Sequence, residues 1–267
     1  MISAFLSLSF GIPFACVLLA RVIDAPFVSF LLFGIQAASP SIAAVLVVFM
    51  YRRKKGLRQF LEKAYRSDSV KRLVLFSLAV AMSGFLLGLL SKILYRHITD
   101  APVALFYRIS GKQMVVILWA LIAEELGWRG FLQDELKLKC RACTPMVVGC
   151  LWAAWHYHYY WMGTNHIPIG LFLIGCVGES YVYAFLKNRM DGNIIAASLW
   201  HCIGNLVIAL FAMNPGENEG TLLLYAVYSC MICVLGIVVF FADFGNYRDR
   251  KNICLPNDEE SFREKSL

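Results

Sequence analysis

The sequence predicts an all-α protein, a polytopic transmembrane helical bundle of about eight membrane helices with both termini cytosolic. Three observations carry that prediction: too few charges to cover a water-facing surface, eight long apolar runs, and a lopsided placement of basic residues. The chain has 267 residues, of which 59% are hydrophobic and only 16% charged. Soluble domains hold roughly 45–50% apolar and about 25% charged residues. A disordered chain, a coiled coil and a disulfide-stapled secreted domain are excluded on the same grounds. The net charge of +7 does not point to nucleic acid, because the basic residues sit in loops between apolar runs and show no interleaving with aromatics.

The eight runs span residues 2–20, 27–50, 73–94, 113–131, 145–161, 167–186, 193–213 and 221–241. Each approaches the roughly 20 apolar residues that a helix needs to cross a bilayer. The first has no basic region before it and is followed at once by a second, which predicts a retained helix and not a signal peptide. Pro40 falls inside the second run and predicts a kink there. Placing the nine basic residues of segment 51–72 in the cytosol puts nineteen basic residues on that side and five on the other (Arg21, Lys92, Arg96, Arg108 and Lys112). The nineteen include the basic residues of 137–141, Lys187, Arg189 and five from Arg248 onward, while Glu217 and Glu219 fall on the opposite side. This bias fixes the orientation. The tail after Phe244 is polar and expected to be mobile. Three stretches follow: 1–112 with the first three helices and the basic cytosolic loop, 113–213 as a catalytic core of helices four to seven, and 214–267 with the last helix and a polar tail.

Ionisable groups inside such runs are costly, and each is a functional hypothesis. The fourth run contains Glu124-Glu125-Leu126-Gly127-Trp128-Arg129, the fifth Trp152-Ala153-Ala154-Trp155-His156, and the seventh His201-Cys202-Ile203-Gly204-Asn205. A rise of about 1.5 Å per residue puts Glu124 roughly 14 Å, His156 about 16 Å and His201 about 12 Å from the cytosolic face. Three helices therefore deliver a carboxylate and two imidazoles to one level. Adjacent helical residues diverge by about 100°, so Glu124 and Glu125 are expected to point to different places. Glu125 and Arg129 form an i,i+4 pair, which leaves Glu124 for the histidines. His201 and Asn205 share a face.

A carboxylate beside an imidazole, sheltered from bulk water, can hold and deprotonate a water molecule. A second imidazole and an amide can stabilise the oxyanion formed when that water attacks a peptide carbonyl. Alternatively Glu124, His156 and His201 are candidate ligands for Zn²⁺, which would acidify the water. Cys202 beside His201 leaves a thiol nucleophile open.

These three motifs (Glu-Glu-x-x-x-Arg, aromatic-x-x-x-His and His-x-x-x-Asn, each on its own membrane helix) resemble those of the CPBP family, the CAAX prenyl endopeptidase and bacteriocin-processing intramembrane proteases. The likeness covers residues 113–213, and its flanking text is most similar to bacterial members, implying a multi-pass protein of a bacterial cell membrane. The resemblance implies that Glu124 and His156 activate the water, that His201 and Asn205 form the oxyanion site, and that Glu125 and Arg129 support the first motif. Trp152 stands where the family usually has Phe and is expected to serve as aromatic packing. The family has been described both as metalloproteases and as metal-independent glutamate proteases, so Zn²⁺ stays open. The expected partners are a protein or peptide substrate and the lipid bilayer, with no nucleic acid, and the site is expected to open toward the cytosolic half of the bilayer.

Other features have plainer readings. His158 and His166 are expected near the outer surface and inert, and the aromatics of 152–161 are expected to contribute to an outer aromatic belt. Cys140-x-x-Cys143 has the spacing of half a zinc site or a redox pair, while six further cysteines lie in apolar runs as packing residues. Glu179 lies outside the family pattern and is read either as a buried hydrogen-bonding carboxyl or as lining a water-filled cavity. Two rivals keep the fold without the catalysis: a peptide-binding immunity or adaptor protein, and an ion-coupled transporter. A transporter would show matching broken helices in two halves, and no such repeat is found.

Overall fold

In the computed structural model the described residues are 1–100, 104–136, 138, 140–216, 218 and 220–253, with the last ten described by their backbone alone. Among them all regular structure is helical. In chain order the elements are α1 (Ile2–Val22), α2 (Pro26–Ala37), α3 (Ser39–Tyr65), α4 (Val70–Thr99), α5 (Gly111–Ala123), a π-helical segment (Leu126–Leu132), α6 (Gln133–Glu135), a 3₁₀ turn (Arg141–Cys143), α7 (Thr144–Trp155), α8 (Tyr157–Trp161), α9 (Ile169–Arg189), α10 (Ile195–Leu210) and α11 (Leu222–Ile253). Lys137, Lys139, Glu217, Glu219 and the tail 254–267 lie outside the described residues.

Every predicted apolar run is helical, but three are broken. α1, α4, α9 and residues 222–243 of α11 are long and apolar enough to cross a membrane, and α2 with α3 makes a fifth when counted as one span bent by 60°. The bend falls at Ala38, next to Pro40 in the first turn of α3, as the ring's steric demands require. The fourth run breaks after α5 and the fifth at His156. α5 has 13 residues and α7 has 12, so at 1.5 Å per residue each covers about 20 Å or less of a roughly 30 Å core. The chain is an integral membrane protein whose central helices are interrupted.

Local sequence explains the helix starts. Ser110 and Gln113 form a reciprocal capping box ahead of α5, Ser69 caps α4 by accepting from the Arg72 N–H, and α2 and α7 begin with proline in the first turn, where its missing N–H costs nothing. α4 turns Leu75, Leu78, Met82, Leu86 and Leu90 outward, a surface that suits lipid and not water.

Glycine permits two close approaches. A Cβ on Gly127 would strike the Pro40 carbonyl, so the π-helical segment lies directly on the kink of α3. On the far side Gly236 of α11 faces the backbone of Gly178 of α9, the small-residue contact by which membrane helices approach closely.

The two ends of the bundle differ. Lys63 and Lys187 both pair with Asp134, Arg52 with Glu135, and Arg72 with Asp191. The Ile194 N–H donates to the Ala64 carbonyl across the same end. Burial alone would raise the Asp134 carboxyl, but Lys187 and Lys63 outweigh it and hold the group below the usual carboxylate range. At the opposite end Arg21 stacks on Trp161, and Lys112 and His166 are exposed. Lys92, counted there by charge, is buried and donates to the Phe211 carbonyl at 2.9 Å. Cys140 and Cys143 are joined by a disulfide across the 3₁₀ turn. Of the six cysteines read as packing residues, Cys16, Cys176 and Cys202 are buried.

Gly127→Ala is expected to destabilise the fold by about 1–3 kcal/mol, the usual range for overpacking. A thermal unfolding curve in detergent tests this, and an unchanged midpoint would show that the contact with Pro40 is not tight.

Candidate active site

The two interruptions of the central helices fall on two predicted residues. Glu124 is the C-cap of α5, with φ −121° and ψ −41°, and two amides, those of Gly127 and Trp128, converge on its carbonyl at 3.0 Å. His156 ends α7 and begins α8. Irregular backbone at membrane depth is tolerated where it is enclosed by protein or lines a cavity. Both residues line one groove of about 870 Å³, together with His201 and Asn205.

His201 is the pivot of the site. Its Nδ1 lies 2.8 Å from Glu125 Oε1, and its Nε2 lies 4.0 Å from Glu124 Oε1. The expectation that Glu124 and Glu125 point to different places is thereby corrected. The backbone leaves α-helical geometry at Glu124, and an imidazole offers two opposite edges, so adjacent carboxylates reach the same ring. A carboxylate only accepts, so Nδ1 carries the hydrogen that Glu125 receives. The predicted pair of Glu125 and Arg129 is present, with Arg129 Nη1 donating to Glu125 Oε1 at 3.2 Å.

Arg129 lies fully buried. Nη2 donates to Ser180 Oγ at 3.0 Å, and the guanidinium sits 3.9 Å from the Tyr183 ring centroid and 4.6 Å from that of Trp152. Lys187 donates to the Arg129 carbonyl at 2.6 Å. Together with the buried π-helical segment, these residues close the floor of the site toward the basic end.

His156 Nδ1 lies 2.7 Å from the Trp152 carbonyl. Because a carbonyl only accepts, Nδ1 is the protonated nitrogen and Nε2 of the neutral ring keeps its lone pair. The ring is held edge-on among Trp155, Trp152 and Phe172, with centroids 4.8–5.4 Å apart.

Four expectations change here. Trp152 is more than packing, since its indole N–H donates to Glu124 Oε2 at 2.7 Å, a contact that a Phe cannot make. His158, expected at the surface, is buried with Nδ1 on the Trp155 carbonyl. Trp152 and Trp155 are likewise core residues, leaving Trp161 as the most exposed aromatic of the segment. His166 is exposed, as expected. The groove does not open toward the basic end. It runs between α2 and α5 to Pro26, Lys112, Thr164 and Asn214 at the other end.

Ser180, Tyr183 and Lys187 escaped the motif search. Their spacing of three and four along an apolar helix was the available signal, because it puts three polar groups on one face. As for metal, among the described residues no three His, Cys, Asp or Glu side chains are grouped to hold an ion. Glu124, His156 and His201 share the groove, but the Nδ1 edge of His201 is committed to Glu125.

Residues 109–207 match the family model described as Type II CAAX prenyl endopeptidase Rce1-like. That stretch holds all six predicted residues, and the match bears out the resemblance carried by the three motifs. The matched family is one of proteases. No curated protein matches the chain.

Removing one partner of a buried ion pair strands the other charge. Arg129→Met is therefore expected to cost about 3–5 kcal/mol of stability, and Arg129→Met with Glu125→Gln less than the sum of the two single changes. Unfolding measurements on the three variants form the cycle, and strict additivity would show that the pair is not coupled.

Proposed function

On the premise that residues 109–207 are Rce1-like, we propose that the protein is an intramembrane endopeptidase that hydrolyses a peptide bond with water activated by Glu124 and His156. The observation that carries the reading is that Glu124, His156, His201 and Asn205 line a single groove, at the points where two membrane helices stop.

The steps follow from the donors and acceptors present. Glu124 is held by the Trp152 N–H through one oxygen, which leaves the other to accept a proton from water. The lone pair on His156 Nε2 is a second acceptor facing the groove. Attack of that water on a peptide carbonyl puts negative charge on the carbonyl oxygen. His201, protonated at both nitrogens and anchored to Glu125 through Nδ1–H, donates from Nε2, and Asn205 donates from its amide. The proton taken by Glu124 then passes to the leaving amine. Glu125 and Arg129 act through His201 as positioning residues. The donors named for Zn²⁺ are not grouped to hold it among the described residues, and the proposed steps run through water and these side chains.

The reading includes eight crossings with both termini in the cytosol, so that the basic end faces the cytosol and the groove opens on the other side. The bias of basic residues supports this orientation. It gives the substrate a route through an apolar groove in the outer half of the bilayer.

Glu124→Gln and His156→Ala are each expected to lower the rate by about 10²-fold or more. The test is cleavage of a peptide library by purified protein in detergent, with and without a chelator. Undiminished cleavage by Glu124→Gln protein would overturn the water-activating role, and loss on chelation with recovery on adding Zn²⁺ would replace the metal-free route. Binding without any cleavage would point to a peptide-binding adaptor.

A membrane-impermeant maleimide reads the orientation. Lys112→Cys is expected to react in intact cells and Arg58→Cys only after lysis, against the background of the parent chain. The opposite pattern would turn the groove toward the cytosol.

A further inference from the structure

Glu179 takes no part in the steps above, yet it sits within a membrane span and beside the reaction centre. It lines a second cavity, of about 90 Å³, that shares His156, His201 and Asn205 with the large groove. This cavity lies between α9, α10 and α11. Glycine shapes it: a Cβ on Gly204, which lies between His201 and Asn205 on α10, would stand 3.9 Å from Glu179 Oε1 and 3.8 Å from the Tyr228 hydroxyl. A Cβ on Gly175 would stand 3.4 Å from Ser229 Oγ and 3.6 Å from the Tyr225 hydroxyl. A carboxylate and three hydroxyls thus surround a space that opens onto the oxyanion pair.

Charge says what that space takes. Among the described residues Glu179 forms no ion pair, and its hydrogen bond is with the Tyr183 hydroxyl at 3.3 Å. Three carboxylates, Glu124, Glu125 and Glu179, stand in this layer against two cations, Arg129 and the doubly protonated His201, both of which are engaged by Glu125. Lys187 is engaged by Asp134. An unpaired carboxylate at this depth is costly, and a cation brought by the substrate would offset that cost. The walls suit a primary ammonium on an apolar stem. The rings of Tyr225, Tyr228 and Phe172 accept methylenes and the face of a cation, and the oxygens of Glu179, Tyr228 and Ser229 can each accept one of the three N–H bonds of an ammonium. The small volume favours that compact head over the wider fork of a guanidinium.

We propose that this cavity is a specificity subsite for a lysine side chain flanking the scissile bond, with Glu179 as the residue that selects it. The proposal deepens the endopeptidase reading and rests on it for the identity of the occupant as part of a substrate.

The probe is a positional-scanning library of acetylated, amidated octapeptides in which each position carries lysine or its neutral isostere norleucine. Binding is measured by fluorescence anisotropy to the Glu124→Gln protein in detergent, and cleavage by the wild type. At one position lysine is expected to bind about tenfold to a hundredfold more tightly than norleucine, the range for a hydrogen bond to a charged group. In the additional presence of Glu179→Gln the ratio is expected to fall toward one. Gly204→Val, which fills the cavity and leaves the charge of Glu179 in place, should do the same and guards against misfolding of the first variant. A library with no lysine-preferring position overturns the subsite, as does a lysine preference that survives both changes. A uniform loss for lysine and norleucine peptides alike would make Glu179 a structural or proton-handling group instead. Lysine-selective binding without cleavage would keep the subsite and sink the hydrolase.

Discussion

The site is organised by a charge that has no access to water. Arg129 is fully buried, and a guanidinium in that position is tolerable only if its charge is paired and its faces are covered. Glu125 and Ser180 take two of the nitrogens, and Tyr183 and Trp152 cover the plane. Glu125 in turn holds His201. The array therefore joins the π-helical segment to α7, α9 and α10 through one cation. A lysine could keep the charge but not the fork and the stacking face. Fixing the imidazole through the carboxylate gives the proposed oxyanion donor a defined direction before any substrate arrives, which is what electrostatic preorganisation requires.

The same array accounts for the broken helices. A continuous α-helix through residues 113–131 would turn Glu124 and Glu125 about 100° apart and leave one of them away from His201. The chain instead leaves the α-helix at Glu124 and continues as a π-helical turn, a form found often at functional sites. Gly127 lets that wider turn settle against the kink at Pro40. The stop at His156 has a parallel effect, since its Nδ1 satisfies the Trp152 carbonyl in the last turn of α7. Each interruption leaves a side chain with free valence facing the groove.

Much of this was legible in the sequence. Composition gives a membrane protein, spacing gives three motifs at one depth, and Pro40 gives the bend. The pairing of Glu125 with Arg129 follows from i,i+4 geometry and is present. The rest depends on contacts between helices, which periodicity does not encode. Trp152 as a donor to Glu124 depends on how α7 lies beside the break after α5. His201 bridging both carboxylates depends on a local departure from the α-helix. His158 reads as interfacial from its aromatic neighbours, but α8 turns inward and buries it. The direction of the groove escaped because depth along each helix says nothing of which neighbouring helix is short. α2 has only 12 residues, and it forms one wall of the opening.

The contrast between the two ends follows from the chemistry proposed for the middle. The basic end carries the ion pairs of Lys63 and Lys187 with Asp134 below a layer of Arg129, Ser180 and Tyr183, so the candidate site has a charged, ion-paired floor. A hydrolase inside a bilayer must admit water and one chain without becoming a conduit for ions. On the proposed reading an opening at the end away from the basic residues satisfies both demands, because water would reach Glu124 through the groove and be stopped at the ion-paired layer. The carboxylate excess above that floor then has a second consequence. On that reading a cation entering from the groove would meet Glu179, a carboxylate without an ion pair among the described residues. On the proposed reading, discrimination between substrates would be made by charge beside the bond to be cut, and the apolar walls above would need only to accept an extended chain.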